Sequence, residues 1–123
     1  MAMYVSVRGW LEVDHQQRSL VEQIIEAHRD GHYSGGWGFP TAPFNWQLYV
    51  FYGGDLRESA VGWLRDQVSE IARLPPVDDD QDMPVGFFLL SDERQTAVAW
   101  TIRDGRLDEA AAPTDLHWLT ERR

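Results

Sequence analysis

The sequence predicts an α+β fold in a single domain, and three observations carry the prediction. Runs of alternating polarity at Met3–Val13, at Trp46–Tyr52 and from Val85 onward have the period of two that marks β-strands. Two longer stretches, one after Asp14 and one after Asp55, repeat apolar residues at three- and four-residue steps, as helices with one buried stripe do. The turn-forming residues between these runs mark no domain boundary and no repeat, so residues 1–123 read as one unit with one core.

Each element has its own local reason. Met3, Val5, Val7, Leu11 and Val13 alternate with Tyr4, Ser6, Arg8, Trp10 and Glu12, which gives a first strand with one apolar and one mixed face. Gly9 interrupts the apolar face, as a bulge or a close approach would. Asp14-His-Gln-Gln17 has capping-box spacing and opens a helix over His15–Asp30, with Leu20, Val21, Ile24, Ile25 and His28 as its stripe and Gly31 as its stop. Tyr33–Pro40 is rich in Gly but has aromatics in strand phase at Tyr33, Trp37 and Phe39, predicting a short irregular strand; Thr41–Phe44 then turns the chain. The next strand, Trp46–Tyr52, ends at Gly53-Gly54, predicted as a tight turn. Asp55 and Glu58 form a second capping-box pattern, and Leu56, Ala60, Trp63, Leu64, Val68 and Ile71 form the stripe of a helix that Pro75-Pro76 ends near Leu74.

Beyond an exposed loop at Pro75–Asp82, strands are predicted at Val85–Leu90, Thr96–Arg103 and Arg106–Ala110. Turns fall at Ser91–Arg94 and at Asp104-Gly105, the latter a strong hairpin signal. A tail from Ala111 is expected to dock Leu116, Trp118 and Leu119 on the core. The order is then β-α-β-β-α-β with extra C-terminal strands, the ferredoxin-like arrangement of two helices on one face of an antiparallel sheet.

Composition narrows the function. No cysteine is present, which removes disulfides, thiolate catalysis and Cys-ligated zinc. A formal charge of −9 opposes the phosphate backbone and disfavours nucleic acid as a partner. No apolar run approaches the ~20 residues of a membrane span. The opening residues alternate like a strand and show no basic-then-apolar leader, so the cytoplasm is the expected location.

The patterns that would carry chemistry are incomplete. His28 and His32 stand four apart, but Gly31 separates them and a zincin-type Glu is missing. Asp78, Asp80 and Asp82 begin like an EF-hand loop, yet Met83 and Leu89 occupy the places that need Gly and Glu. Gly35–Gly38 leads into no helix and is accompanied by no Lys, and the serines lack a Gly-x-Ser-x-Gly setting. No cofactor or metal is expected. What remains is aromatic: Tyr4, Trp10, Tyr49 and Phe51, with Arg8 and Glu12 between them and Trp37 on a neighbouring strand, fall on the sheet face away from the helices. Either the C-terminal strands and tail cover that face, or it is a protein-binding surface with Trp, Tyr and Arg as anchors.

With Val7–Leu11, Tyr33–Pro40 and Leu48–Asp55 in view, the chain resembles the small α+β immunity proteins of bacterial polymorphic-toxin systems. The resemblance implies a non-enzymatic inhibitor that binds a cognate toxin domain and blocks its active site or substrate entry. An acidic inhibitor meeting a basic toxin gains steering and fast association. The expected contact is Asp78, Asp79, Asp80 and Asp82 together with Arg8, Trp10, Glu12, Trp37 and Tyr49. The second reading is a small-molecule site or minor enzyme in an aromatic cleft at Trp10, Trp37 and Tyr49, with Arg8 and Glu12 as polar contacts. A third is a subunit of a larger assembly.

Overall fold

A computed structural model describes residues 3–42, 45–77 and 79–120. Its elements are β1 (Tyr4–Asp14), α1 (Arg18–Ala27), β2 (Trp37–Gly38), β3 (Gln47–Arg57), α2 (Val61–Ala72), β4 (Val85–Asp92), β5 (Ala97–Arg103) and β6 (Arg106–Ala111). Single 3-10 turns lead into both helices, at His15–Gln17 and Glu58–Ala60. A longer 3-10 segment, Thr114–Thr120, closes the described chain. The six strands form one antiparallel sheet in the order β2-β3-β1-β4-β5-β6, with β1 in the middle. The α+β class read from the sequence is therefore the observed one.

The alternation in β1 sorts as its polarity predicts. Val5, Val7, Leu11 and Val13 are buried toward the helices with Leu48, Val50 and Tyr52 of β3 and Phe88 and Leu90 of β4. Val21 and Ile25 of α1 and Leu64, Val68 and Ile71 of α2 cover them, so both helices share one side of the sheet. Burying each such side chain contributes about 1.5–3 kcal/mol relative to leaving it in water. Gly9 has a packing reason: a Cβ there would lie 2.6 Å from Phe88 Cα and from the Phe88 ring, so its absence gives that fully buried ring its place.

The capping box at Asp14 forms, with the Gln16 N–H donating to the Asp14 carboxylate at 2.8 Å and the Asp14 N–H to Gln17 Oε1 at 3.1 Å. Gln17 is buried and also donates to Pro75 O at 2.8 Å, joining the start of α1 to the end of α2. The α1 stripe is narrower than its pattern suggests, with Leu20 exposed, and the helix ends at Ala27, before Gly31.

The turn and capping box expected at Gly53-Gly54 and Asp55–Glu58 do not occur. β3 runs straight through them, pairing Val7 with Gly54, Ser6 with Asp55, Val5 with Leu56 and Tyr4 with Arg57. A turn at Gly53 would leave that half of β1 without a ladder partner on this side, and unpaired backbone groups are costly. Asp55 accepts a hydrogen bond from Ser6 Oγ at 2.7 Å, and Leu56, expected on the helix, is a fully buried strand residue. α2 starts only at Val61, after the 3-10 turn at Glu58–Ala60, and the Glu58 N–H donates to Met3 O at 2.8 Å. Trp46 precedes the strand and is exposed.

The irregular strand expected over Tyr33–Pro40 shrinks to Trp37 and Gly38, preceded by a 3-10 turn at Ser34–Gly36. Of the Thr41–Phe44 turn, Pro43 and Phe44 lie outside the described residues. The C-terminal meander follows the sequence: Asp104 and Gly105, both at positive φ (54° and 76°), make the β5–β6 hairpin turn that Asp-Gly favours.

Candidate functional site

The sheet face away from the helices is built as a ladder of rungs set by the β3-β1-β4 register. From one end they read Asp55, Ser6 and Ser91; Gly53, Arg8 and Leu89; Phe51, Trp10 and Phe87; Tyr49, Glu12 and Val85. Directly opposed residues share a face, so alternation alone collects these side chains. The middle rung places an aromatic ring on each of three adjacent strands. Trp10 and Phe87 lie 6.0 Å apart between ring centres, and Phe51 stacks along its own strand on Tyr49 at 6.4 Å.

The C-terminal segment decides how much of this face stays open. Leu119 packs with Leu89, Ala99 and Ala112, and Arg8 Nη1 donates to Leu119 O at 3.0 Å, fixing Thr114–Thr120 across β4 and β5. β1 and β3 remain bare: Trp10 is 37% exposed, Tyr49 41% and Phe51 49%. The result is an apolar depression of about 680 Å³, walled by Trp10, Phe51, Phe87, Leu89, Leu116 and Leu119. The face is thus neither wholly covered nor wholly open.

Carboxylates stand at both ends. Glu12 accepts from Trp10 Nε1 at 2.9 Å, which orients the indole, and borders a smaller polar cleft with Asp14, Trp46 and Asp82. At the other end Asp55, Asp92 and Glu93 surround Ser6 and Arg8, and Glu93 accepts from the Tyr4 N–H at 2.8 Å. Among the described residues of the acidic loop, Asp82 is the one that borders the Glu12 end of the face, through this cleft. Asp79 and Asp80 are exposed, and Asp78 lies outside the described residues.

Trp37 is not part of this face. It packs edge-on against Tyr52, 5.1 Å between ring centres, among residues of the helix-covered core. Tyr52 donates its hydroxyl to Tyr33 O at 2.7 Å, and Gly36 lies against its ring so closely that a Cβ would come within 2.7 Å of it. Burial, aided by the negative charge of Asp30, pushes the Tyr52 hydroxyl up to about 12. The three-aromatic cleft of Trp10, Trp37 and Tyr49 therefore does not form. Phe87, Val85 and Leu116 complete the face instead, and the alternation of Val85, Phe87 and Leu89 was the available signal for the first two.

The histidines do not converge. His28 follows the end of α1 and places Nε2 2.6 Å from Glu70 Oε2 on α2, while His32 sits in the next turn. Among the described residues no three His, Asp or Glu side chains group so as to hold a metal ion, and no helix is long and apolar enough to cross a membrane. With the face in view, comparison adds no relative. No family model, curated protein or solved structure matches the chain.

Proposed function

We propose that this chain is a binding protein that captures a cationic protein on the bare half of its sheet, and that it serves as an immunity protein against a toxin domain of that charge. The observation that carries the reading is the rung of Phe51, Trp10 and Phe87, an exposed aromatic row with carboxylates farther along the strands in both directions. Aromatic side chains are the usual anchors of protein interfaces, and a surrounding field of one sign selects partners of the other. The charge of −9 supports the same partner class. The resemblance to small immunity proteins supplies the biological role, a non-enzymatic block of a toxin in the cell that makes it.

The strand order supports a ferredoxin-like core, because α1 connects β1 and β2 around β3, and α2 connects β3 and β4 around β1. In this reading β5 and β6 extend that core and carry the segment that roofs half of the face. A small-molecule site in the same depression has its volume in favour, within the ~300–1,000 Å³ of ligand pockets. Against it, Trp37 belongs to the other face and Arg8 is committed to Leu119 O.

Co-expression with the C-terminal domain of the protein encoded beside it tests the proposal, with survival and calorimetric titration as readouts. Rescue with binding at nanomolar concentration is the expected result. Full toxicity with no heat of binding sinks the immunity reading.

A further inference from the structure

We propose that the occupant of the bare strip is a basic-ended amphipathic α-helix of the partner, lying along β1 beside Thr114–Thr120 and adding a third layer to the fold. This rests on the reading of the face as a docking site for a cationic protein and specifies the element that docks.

The dimensions point to a helix. The open floor runs from Phe51 on β3 across Trp10 on β1 to Phe87, at the foot of the Leu116 and Leu119 wall, two inter-strand spacings or about 10 Å, which matches the ~10 Å width of one helix. Its far side is already occupied by Thr114–Thr120, so a second sheet has no room there. A strand is excluded on other grounds: β1 is paired on both sides, and strands join sheets at edges, not on faces. Stacking a helix on an unoccupied sheet face is the ordinary way such a layer is completed.

The charge pattern sets what that helix must carry. From Ser6, beside Asp55, to Glu12 is six strand steps, or roughly 20 Å, the length of about 13 helical residues. The acidic ends therefore call for Arg or Lys near both ends of a helix of some four turns. Between them the aromatic rung and the Leu116 and Leu119 wall call for an apolar stripe at three- and four-residue steps. A second copy of this chain would bring −9 against −9 and carboxylate ends against carboxylate ends. Anionic lipid and nucleic acid are opposed in the same way.

Three synthetic peptides of about 18 residues, ~27 Å when helical, share one composition of Leu, Ala, Gln and Arg. One has a helical apolar stripe with Arg at both ends, one alternates with strand period, and one is scrambled. Each is titrated into the isotope-labelled full chain and followed by nuclear magnetic resonance, with circular dichroism reporting peptide helicity. The striped peptide is expected to bind about tenfold more tightly than the others. It should become helical on binding and shift signals of Trp10, Glu12, Phe51 and Phe87. Phe51→Ser should weaken it about tenfold, whereas Trp118→Ser, at an exposed site outside the depression, should not. Equal or tighter binding of the alternating peptide, shifts at β6 instead, or no shift at all overturns the helical occupant.

Radical footprinting of Trp10, Tyr49 and Phe51 in the co-expressed complex separates the two readings. Protection there with no preference among peptides removes the helix and keeps the docking face. A complex that leaves those rings unprotected removes both. Self-association in light scattering that masks the same rings assigns the face to a second copy and overturns the proposal.

Discussion

At the scale of single residues, this fold depends on where side chains are missing. Gly9→Ala sets a methyl group against the Phe88 ring and backbone, and is expected to cost about 1–3 kcal/mol in urea unfolding. Gly62→Ala, in α2 with open space around it, is expected to gain about 0.5–1 kcal/mol in the same assay. The contrast separates a packing glycine from an incidental one. Tyr52 predicts a pH effect of definite sign. Its folded pKa of about 12 lies above the usual ~10 of tyrosine, so the folded state holds the proton more tightly. Its contribution is full below pH ~10 and is lost as pH rises from there through 12, at up to ~1.4 kcal/mol per pH unit. Thermal unfolding between pH 8 and 11 should therefore fall less steeply for Tyr52→Phe, although that variant starts lower for want of the bond to Tyr33 O. Parallel pH profiles for the two proteins would dismiss this linkage. The chain has no Lys and no Cys to titrate beside Tyr52 in that range. Residues of the aromatic sheet face were legible wherever strict alternation governs, as at Arg8, Trp10, Glu12, Tyr49 and Phe51. Trp37 was not, because a two-residue strand after a 3-10 turn has no phase of its own and takes its side from the Tyr52 ring.

At the scale of elements, two capping-box patterns met different fates, and the difference is tertiary. Asp14 stands at the end of β1, where the strand is finished and its carboxylate is free to cap the turn that follows. Asp55 has the same spacing to its Glu, but β1 still offers Ser6, Val5 and Tyr4 as ladder partners. Strand pairing outweighs the local signal, and Gly53-Gly54 adapts because glycine accepts extended as readily as turned backbone. The strand and the helix were legible in the sequence, and the junction between them was not, for this reason. The variants should behave accordingly. Asp14→Ala is expected to lower stability by about 1 kcal/mol through loss of the cap. Asp55→Asn should stay within ±0.5 kcal/mol, since it keeps an acceptor for Ser6 Oγ and caps nothing. Urea midpoints of the two variants check this, and a larger loss at Asp55 would restore its capping role. The Asp104-Gly105 hairpin was legible because both residues adopt the positive φ that this dipeptide favours, so no competing pairing had to be overcome.

At the scale of the whole molecule, charge and topology act together. The −9 charge is expected to make association with a cationic partner salt-dependent, slowing by about tenfold as added salt screens beyond the ~10 Å Debye length of 0.1 M. Replacing Asp79, Asp80 and Asp82 by Asn should flatten that dependence in stopped-flow measurements, while Phe51→Ser should act mainly on dissociation. An unchanged salt slope would remove the acidic loop from the encounter. The central position of β1 has a further consequence, for synthesis on the ribosome. Its partners are β3 and β4, and β4 is completed at Asp92, 78 residues after β1 ends at Asp14. At roughly 5–20 residues per second the finished strand waits about 4–16 s for its second neighbour. Through that interval the nascent chain displays Val5, Val7, Leu11 and Val13 on an unsealed strand. Of the strands described, β1 waits longest for its second neighbour, which makes it the natural client of whatever shields emerging polypeptide.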